Sequence, residues 1–318
     1  MLMFDMKPTE TEYLRELDTS DFEVSCFDKP LNRDTKLTVK ECDETVILSV
    51  FITSDITKEV IEKFKNLRVI VTRSGRSSHI DTNFCRDKNI AVINVPDYAG
   101  KSIAQYVIGS VFAMTRGLAG GYNEESDELE HFSLGVIGTG SVGSVVCEMA
   151  HRLGMKVYAN DIIPNKSVLD FAEYVSFNDI FRKSDIVTLH IPYVKEYKNI
   201  ISEVEIKMMK SGGYIINTSY PELIDMVALY QSLISNHLKG VTLDMVVKDD
   251  NLFYPDTKTP DYDGLKRVFI TQKLLKMKNV IITPGISSRT KNSIKTVLKT
   301  NFHDIKDFYI GRKTNRVV

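Results

Sequence analysis

Six residues near the middle of the chain, Gly138-Thr139-Gly140-Ser141-Val142-Gly143, have the types and spacing needed to hold a pyrophosphate. They directly follow an apolar run, Leu134–Ile137, and precede a segment whose apolar residues Val145, Val146, Met149 and Leu153 predict the buried side of a helix. In such a strand–turn–helix the first glycine permits the tight turn. The second lets a pyrophosphate approach the backbone, and the third lets the helix pack close to the sheet. The first N–H groups of the helix and the positive end of its dipole then meet the phosphates. Asp161 closes the next apolar run at the distance where a carboxylate accepts hydrogen bonds from the ribose hydroxyls of a bound dinucleotide. A carboxylate there repels a 2′-phosphate, so the motif predicts NAD rather than NADP.

Positioning that turn requires a parallel sheet, and apolar runs alternate with helix-period segments through most of the chain. Strands are predicted over Thr45–Ile52, Arg68–Thr72 and Ile90–Val95, with a helix over Ile56–Phe64, as in a small doubly wound domain. A long helix is predicted from Lys101 to Arg116, with Ile103, Val107, Ile108, Val111 and Phe112 on its apolar side. Gly117–His131 is glycine-rich and then acidic, and reads as the connection into a second domain. That domain continues through strands at Leu134–Ile137, Lys156–Ala159, Ile186–His190, Tyr214–Asn217, Gly240–Leu243 and Val280–Thr283. The polar stretch Asp249–Asp263 reads as a surface excursion. Ile294, Val297, Leu298, Phe302, Ile305 and Phe308 predict an amphipathic helix that packs back on the first domain.

At 318 residues, two domains of ordinary size are expected. A formal net charge of −1 supplies no overall field to recruit nucleic acid or an anionic membrane. No apolar run approaches the length of a membrane span. The first residues, Met1-Leu2-Met3-Phe4-Asp5, lack the pattern of a signal peptide and read as a strand, so a cytoplasmic location is expected. Cys26, Cys42, Cys85 and Cys147 show no metal-ligand spacing and read as free thiols.

Several further segments resemble the D-isomer-specific 2-hydroxyacid dehydrogenases over nearly the whole chain. They are Thr72-Arg73-Ser74 with His79-Ile80-Asp81, Asn94-Val95-Pro96 with Tyr98, Gly135–Gly143, Ser184–Pro192, Ile215–Ser219, Leu243-Asp244 and Val280–Pro284. The stretch from Asn251-Leu252-Phe253-Tyr254 to Lys278-Asn279-Val280 is similar to the D-lactate dehydrogenase branch, including the vancomycin-resistance type. The resemblance implies an α/β fold of two doubly wound Rossmann-like domains. One is a split, flavodoxin-like substrate domain, 1–100 plus 287–318; the other is an inserted NAD-binding domain, 101–286, with a cleft between them. Cofactor contacts implied in this way are Gly138, Gly140, Gly143 and Asp161, with His190 and Pro192 near the adenosine, Thr218 near the nicotinamide end and Asp244 near the nicotinamide amide. In the family the region between Arg116 and Leu134 helps build a dimer; its shortness here, over 117–133, weakens the expectation of a homodimer.

The family reduces 2-keto acids with three polar groups: an Arg that holds the carboxylate and polarises the ketone, a His that protonates the alkoxide, and a Glu that keeps the His charged. The resemblance places these at Tyr220, Gly285 and Val247, so none of the three is retained. Asp249 or Asp250 could stand in for the carboxylate if the loop shifts. Tyr220 keeps a hydrogen-bond donor but no permanent charge. Substrate-side positions are Ser74, Gly75, Arg76, Tyr98, Ser288 and Arg289, where Arg76 replaces a family glycine and Lys101 a small polar residue. Arg76, Lys101 and Arg289 together predict a roomier, more positive site for a small anion larger than pyruvate, with Tyr220 or Lys101 as the acid. Each of them is also, taken singly, an ordinary surface cation. Three readings stay open: a divergent NAD-dependent oxidoreductase, a catalytically silent NAD(H)-sensing or partner-binding protein, and an ordinary D-lactate-type dehydrogenase.

Overall fold

Strands apolar on both faces need helices on both sides of their sheet, and the chain meets that requirement twice. The computed structural model describes residues 1–118, 125–244, 262–312 and 314–318. It divides into two compact units, Met1–Tyr98 with Thr290–Val318, and Ala99–Arg289.

The first unit runs β1 (Leu2–Met3), α1 (Pro8–Leu14), β2 (Ser25–Cys26), α2 (Val39–Glu44), β3 (Ile47–Val50), α3 (Lys58–Ile61), β4 (Val69–Thr72), α4 (Thr82–Asp87) and β5 (Ala91–Ile93). Its strands form a parallel sheet in the order β2-β1-β3-β4-β5. The strand predicted over Thr45–Ile52 is shorter at both ends. The Thr45 hydroxyl donates to Glu41 O behind α2, and Ser54 N donates to Phe51 O in a turn. The helix predicted over Ile56–Phe64 contracts to α3. Ile56 is drawn into a bridge with Ile80, and the N–H groups of Val60, Lys63 and Phe64 close three-residue turns. Its apolar residues Ile56, Val60, Ile61 and Phe64 are nevertheless all buried.

The second unit runs α5 (Gly100–Thr115), β6 (Ser133–Ile137), α6 (Gly143–Arg152), β7 (Lys156–Asn160), β8 (Glu173–Tyr174), α7 (Phe177–Lys183), β9 (Ile186–Leu189), α8 (Glu203–Met208), β10 (Gly213–Asn217), α9 (Met226–Ile234), β11 (Leu238–Asp244), α10 (Tyr262–Leu274) and β12 (Val280–Thr283). All strands are parallel, in the order β12-β11-β10-β9-β6-β7-β8. The chain starts at β6, winds outwards through β7 and β8, then returns to β9 on the other side. The β6/β9 boundary is therefore the switch point, where open α/β sheets bind their ligands.

Two helix faces differ from expectation. The buried side of α6 is Gly143, Val146, Cys147 and Ala150, whereas Val145 and Met149 are half-buried and Leu153 is exposed. Small residues take that side because Gly143 pins the helix start tightly against the strand it follows. On α5 the buried stripe is Ala104, Val107, Val111 and Met114; Ile103 and Ile108 are half-buried and Phe112 is exposed. That stripe faces α6, β10 and β11.

Most of the predicted excursion Asp249–Asp263 lies outside the described residues. The chain returns to the first unit as α11 (Lys291–Tyr309), opened by a Thr290–Ser293 capping box. Val297, Leu298, Phe302 and Ile305 are buried against α1 and β4, as the amphipathic pattern predicts. Among the described residues no helix is long and apolar enough to cross a membrane, and the four cysteines are free thiols.

Candidate cofactor and active site

The glycine turn sits at the switch point of the second unit. Gly138 adopts φ +90°, and a Cβ there would lie 2.5 Å from His190 O at the end of β9. A Cβ on Gly143 would lie 1.8 Å from Gly138 O, so only glycine lets α6 start where it does. A Cβ on Gly140 would meet nothing within 4 Å, which leaves its backbone open to a ligand. Val142, the N-cap of α6, has no side chain able to cap; Ser144 N already donates to Gly140 O at 3.0 Å, so the turn ahead of Ser144 is what presents N–H groups to a ligand. Ser141 lies exposed beside them, and its carbonyl would be 2.8 Å from a Cβ on Gly100, so the first turn of α5 packs on the same loop.

Asp161 follows β7. Its Oδ2 accepts from Thr139 N at 2.6 Å and from the Thr139 hydroxyl at 3.1 Å, and its Oδ1 accepts from Ile163 N at 3.0 Å. Burial raises its carboxyl pKa, but the hydrogen bonds from Thr139 and Ile163 outweigh that and hold it below the ordinary carboxylate value. Ile162 and Ile163 expose their side chains beside it, an apolar flank suited to a flat heteroaromatic ring. After β10, the buried Thr218 hydroxyl has no hydrogen-bond partner among the described residues. An open glycine, an uncapped helix, a fixed carboxylate and an orphan hydroxyl fit a dinucleotide, with its adenosine ribose at Asp161 and its nicotinamide end near Thr218.

His190 follows β9 and is half-buried; Pro192 beyond it is exposed. Burial pushes the His190 imidazole pKa down to about 3, so the ring stays neutral at physiological pH. Its Nε2 lies 3.1 Å from the Thr188 hydroxyl. Tyr220 stands after β10, where Asn217 Nδ2 donates to its carbonyl at 2.9 Å. The ring of Tyr220 leans on Tyr193, centroids 5.8 Å apart. Tyr193 was not anticipated from the sequence, because nothing in the spacing of residues shows that the ends of β9 and β10 are neighbours.

The turn after β12 is organised by Asp244. The Asp244 carboxylate is buried and accepts from the Thr283 hydroxyl at 2.5 Å, from Ile286 N at 2.8 Å and from Ser287 N at 2.8 Å. The single proton of Thr283 is committed to Asp244, so Tyr106, 2.6 Å away on α5, donates to Thr283. Burial raises the Tyr106 pKa and keeps it protonated for that purpose. Gly285 lies inside this turn at φ +67°. The Ser102 hydroxyl donates to Ser287 O at 2.7 Å, tying the start of α5 to the same turn. Exposed Lys101 and half-buried Ser288 and Arg289 therefore stand on two segments that are bonded together. Thr283, Tyr106 and Ser102 were missed by sequence reasoning, since hydroxyl residues with no motif carry no signal until the fold pairs them.

Ser74, Gly75, Arg76 and Tyr98 belong to the first unit. The Ser74 hydroxyl donates to Arg76 O at 2.8 Å and accepts from Arg76 N at 3.2 Å, while Asn94 Nδ2 donates to Gly75 O at 3.0 Å, so this loop after β4 is held by its own polar groups. His79 is buried, with Nε2 3.2 Å from the Thr72 hydroxyl. Arg73 is wholly buried, donating to Ser49 Oγ and to the carbonyls of Phe4 and Asp5, and its Nε lies 3.5 Å from Glu10 Oε1. Val247, Asp249 and Asp250 lie outside the described residues.

A seven-stranded parallel sheet with a glycine turn at its switch point and an acid at the next strand end defines a Rossmann dinucleotide-binding domain. Comparison with known proteins is consistent with this class. The family model described as "D-isomer specific 2-hydroxyacid dehydrogenase, NAD binding domain" matches residues 113–287. The D-lactate dehydrogenase of Escherichia coli is 25% identical, over 98% of this chain and 97% of that protein. The hydroxypyruvate reductase of Thermotoga maritima is 30% identical, over 81% of this chain and 83% of its own length. A crystal structure of D-lactate dehydrogenase from Aquifex aeolicus, complexed with NAD and lactic acid, superposes with a TM-score of 0.84 at 27% identity, covering 98% of this chain and 95% of that one. The chain belongs to the D-isomer specific 2-hydroxyacid dehydrogenases, and its second unit carries the NAD-binding domain.

Proposed function

We propose that this protein is an NAD(H)-dependent oxidoreductase whose active site has moved away from simple 2-keto acids towards another small anion. The observation that carries the reading is Gly285, where the resemblance places the family's acid. It sits at φ +67° between Thr283 and the two N–H groups held by Asp244. A histidine in that left-handed conformation costs ~1 kcal/mol, so the turn as it stands favours glycine at this position. Tyr220 supports the same reading. It replaces the family's arginine and is held by Asn217 at its carbonyl and by Tyr193 at its ring.

Bound NADH supplies a hydride; what this chain must add is charge and a proton. Lys101 and Arg289, on segments joined by the Ser102–Ser287 bond, supply positive charge for an anionic substrate. The Tyr220 phenol or the Lys101 ammonium donates the proton to the developing alkoxide. Asp244 is held on the 286–287 backbone with one side of Oδ2 left to accept from the nicotinamide amide. A positioned acid is worth ~10²–10⁴ in rate, so loss of the family histidine without a substitute lowers turnover of ordinary 2-keto acids by about that factor.

A second reading, a silent NAD(H)-responsive protein, is favoured by the contrast between a complete dinucleotide cradle and the missing acid. Steady-state NADH oxidation separates the readings. With pyruvate, phenylpyruvate and 2-ketoisocaproate the expected turnover is at least 100-fold below the ~10 s⁻¹ typical of enzymes. Turnover near that typical value with any of the three overturns the proposal and makes the protein an ordinary 2-hydroxyacid dehydrogenase. Bound-NADH fluorescence, screened against larger anionic 2-oxo acids, then decides between the remaining two: signal loss with turnover supports the oxidoreductase, and partner capture that differs between NAD and NADH supports the silent protein.

A further inference from the structure

Asp161 is the end of a directed hydrogen-bond chain that passes through the edge strand β8. Asn165 N donates to the Tyr174 hydroxyl at 2.8 Å, the Tyr174 hydroxyl donates to Thr139 Oγ1 at 2.8 Å, and Thr139 Oγ1 donates to Asp161 Oδ2 at 3.1 Å. The direction follows from distance and proton count: the Tyr174 hydroxyl also lies 3.4 Å from Asn165 O, but its proton goes to Thr139 Oγ1 at the shorter 2.8 Å. Asn165 N can only donate, the Asp161 carboxylate only accepts, and each hydroxyl between them has one proton to pass along. Asn165 closes the arrangement through its side chain, which donates from Nδ2 to Thr139 O at 3.1 Å and accepts at Oδ1 from Ser167 N at 3.0 Å.

Each link polarises the next, so the chain strengthens the bond that reaches the carboxylate. It also consumes the Thr139 proton, so Thr139 cannot turn towards a phosphate. Thr139 is almost fully buried, only 1% exposed, and cannot be resatisfied by water if a partner is removed. Asp161 Oδ2 is thereby held by the Thr139 N–H and hydroxyl together, and Oδ1 by Ile163 N, in one orientation. A carboxylate held in one orientation and kept charged accepts from ribose hydroxyls and repels a 2′-phosphate.

We propose that Tyr174, acting through Thr139, is a positioning residue that fixes the Asp161 carboxylate and so sets the preference of this domain for NAD(H) over NADP(H). Tyr174 stands on β8, next to β7, and reaches Asp161 only through Thr139; a merely structural tyrosine there would affect both cofactors alike. The proposal rests on the NAD-binding domain and not on any reading of the catalytic groups, so it stands or falls by cofactor binding alone.

The test is direct titration of the full-length protein with NADH and with NADPH, followed by nicotinamide fluorescence, for wild type, Tyr174→Phe and Thr139→Val. One lost hydrogen bond of this kind corresponds to ~3–10-fold in affinity. For Tyr174→Phe, NADH is expected to bind ~3–10-fold more weakly while NADPH is unchanged, so the preference falls by that factor. Thr139→Val, which removes the last donor but keeps the shape, is expected to lower the preference further. Thr139→Ser is expected to keep it. In Tyr174→Phe the acid limb of NADH binding should also move to higher pH, because the carboxylate loses support. Equal weakening of NADH and NADPH, or no change in either, in Tyr174→Phe overturns the proposal. Should Tyr174→Phe not fold, Thr139→Val takes its place: a preference as large as wild type in that variant overturns it.

Discussion

Asp244→Asn tests the view that one buried carboxylate holds the turn that contains Gly285. In the wild type Oδ1 accepts from Thr283 Oγ1 and Ile286 N, and Oδ2 accepts from Ser287 N. An asparagine has one acceptor oxygen. Its better orientation keeps that oxygen facing Thr283 and Ile286 and turns the amide NH₂ towards the N–H of Ser287, itself only 6% exposed. Two charge-assisted bonds become neutral, a loss of about 1 kcal/mol each, and one buried N–H is orphaned at about 1–3 kcal/mol. The sum is ~3–5 kcal/mol. For a domain of 150–250 residues each kcal/mol lowers the melting temperature by ~2–4 °C, so a fall of at least ~6 °C is expected. The assay is a thermal melt without cofactor, which removes any contribution from nicotinamide contacts. Thr283→Val breaks the same network from its other side, so the double variant should melt well above the sum of the single effects. A melting temperature for Asp244→Asn within ~2 °C of wild type would refute the reasoning.

Gly143→Ala places a methyl 1.8 Å from Gly138 O, so α6 must leave the turn, and NADH affinity measured by fluorescence should fall by at least ~10-fold. Asn301, fully buried on α11, has both side-chain polar atoms unpartnered among the described residues, so Asn301→Leu should raise stability by about 1–3 kcal/mol in urea unfolding. The His190 pKa is depressed to about 3 in the fold, so below its ordinary value of 6.5 the unfolded chain takes up a proton that the folded one refuses. Stability is therefore full above pH 6.5 and is lost as pH falls towards 3, by ~1 kcal/mol per unit; His190→Gln should flatten that slope between pH 6.5 and 5 in denaturant titrations. The combined variant Tyr220→Arg, Val247→Glu, Gly285→His puts the family's three groups where the sequence resemblance places them. It should gain measurable 2-keto acid reduction while melting lower, because Gly285 alone costs ~1 kcal/mol to replace.

The dinucleotide cradle was legible because its requirements are local. A glycine where φ is positive, a glycine where a helix touches a strand and an acid one strand later are all set by a few bonds along the chain, and Gly138, Gly143 and Asp161 stand where their spacing places them. Strand positions were legible for the same reason: residues buried on both faces must be apolar, whatever surrounds them. Boundaries were less so. The helix predicted from Ile56 lost its start to a bridge with Ile80, a residue too distant for any local pattern to reveal, and its end to three-residue turns. The buried faces of α5 and α6 also differ from the apolar stripes, because the neighbouring element decides which side is covered and small residues such as Ala104 and Ala150 win where helices approach closely.

Sequence alone thus determined the parallel α/β class, the cofactor and the identity of the residues at positions 220 and 285. Tertiary structure decided which side chains meet around them. Only the pairing of β11 with β12 brings Asp244 to Thr283 and to the N–H groups beyond Gly285, and only the return of β8 to β7 brings Tyr174 to Thr139. Such bonds join residues 35 to 43 positions apart. Hydrogen bonding at that separation depends on sheet order and register, which no single stretch of chain encodes.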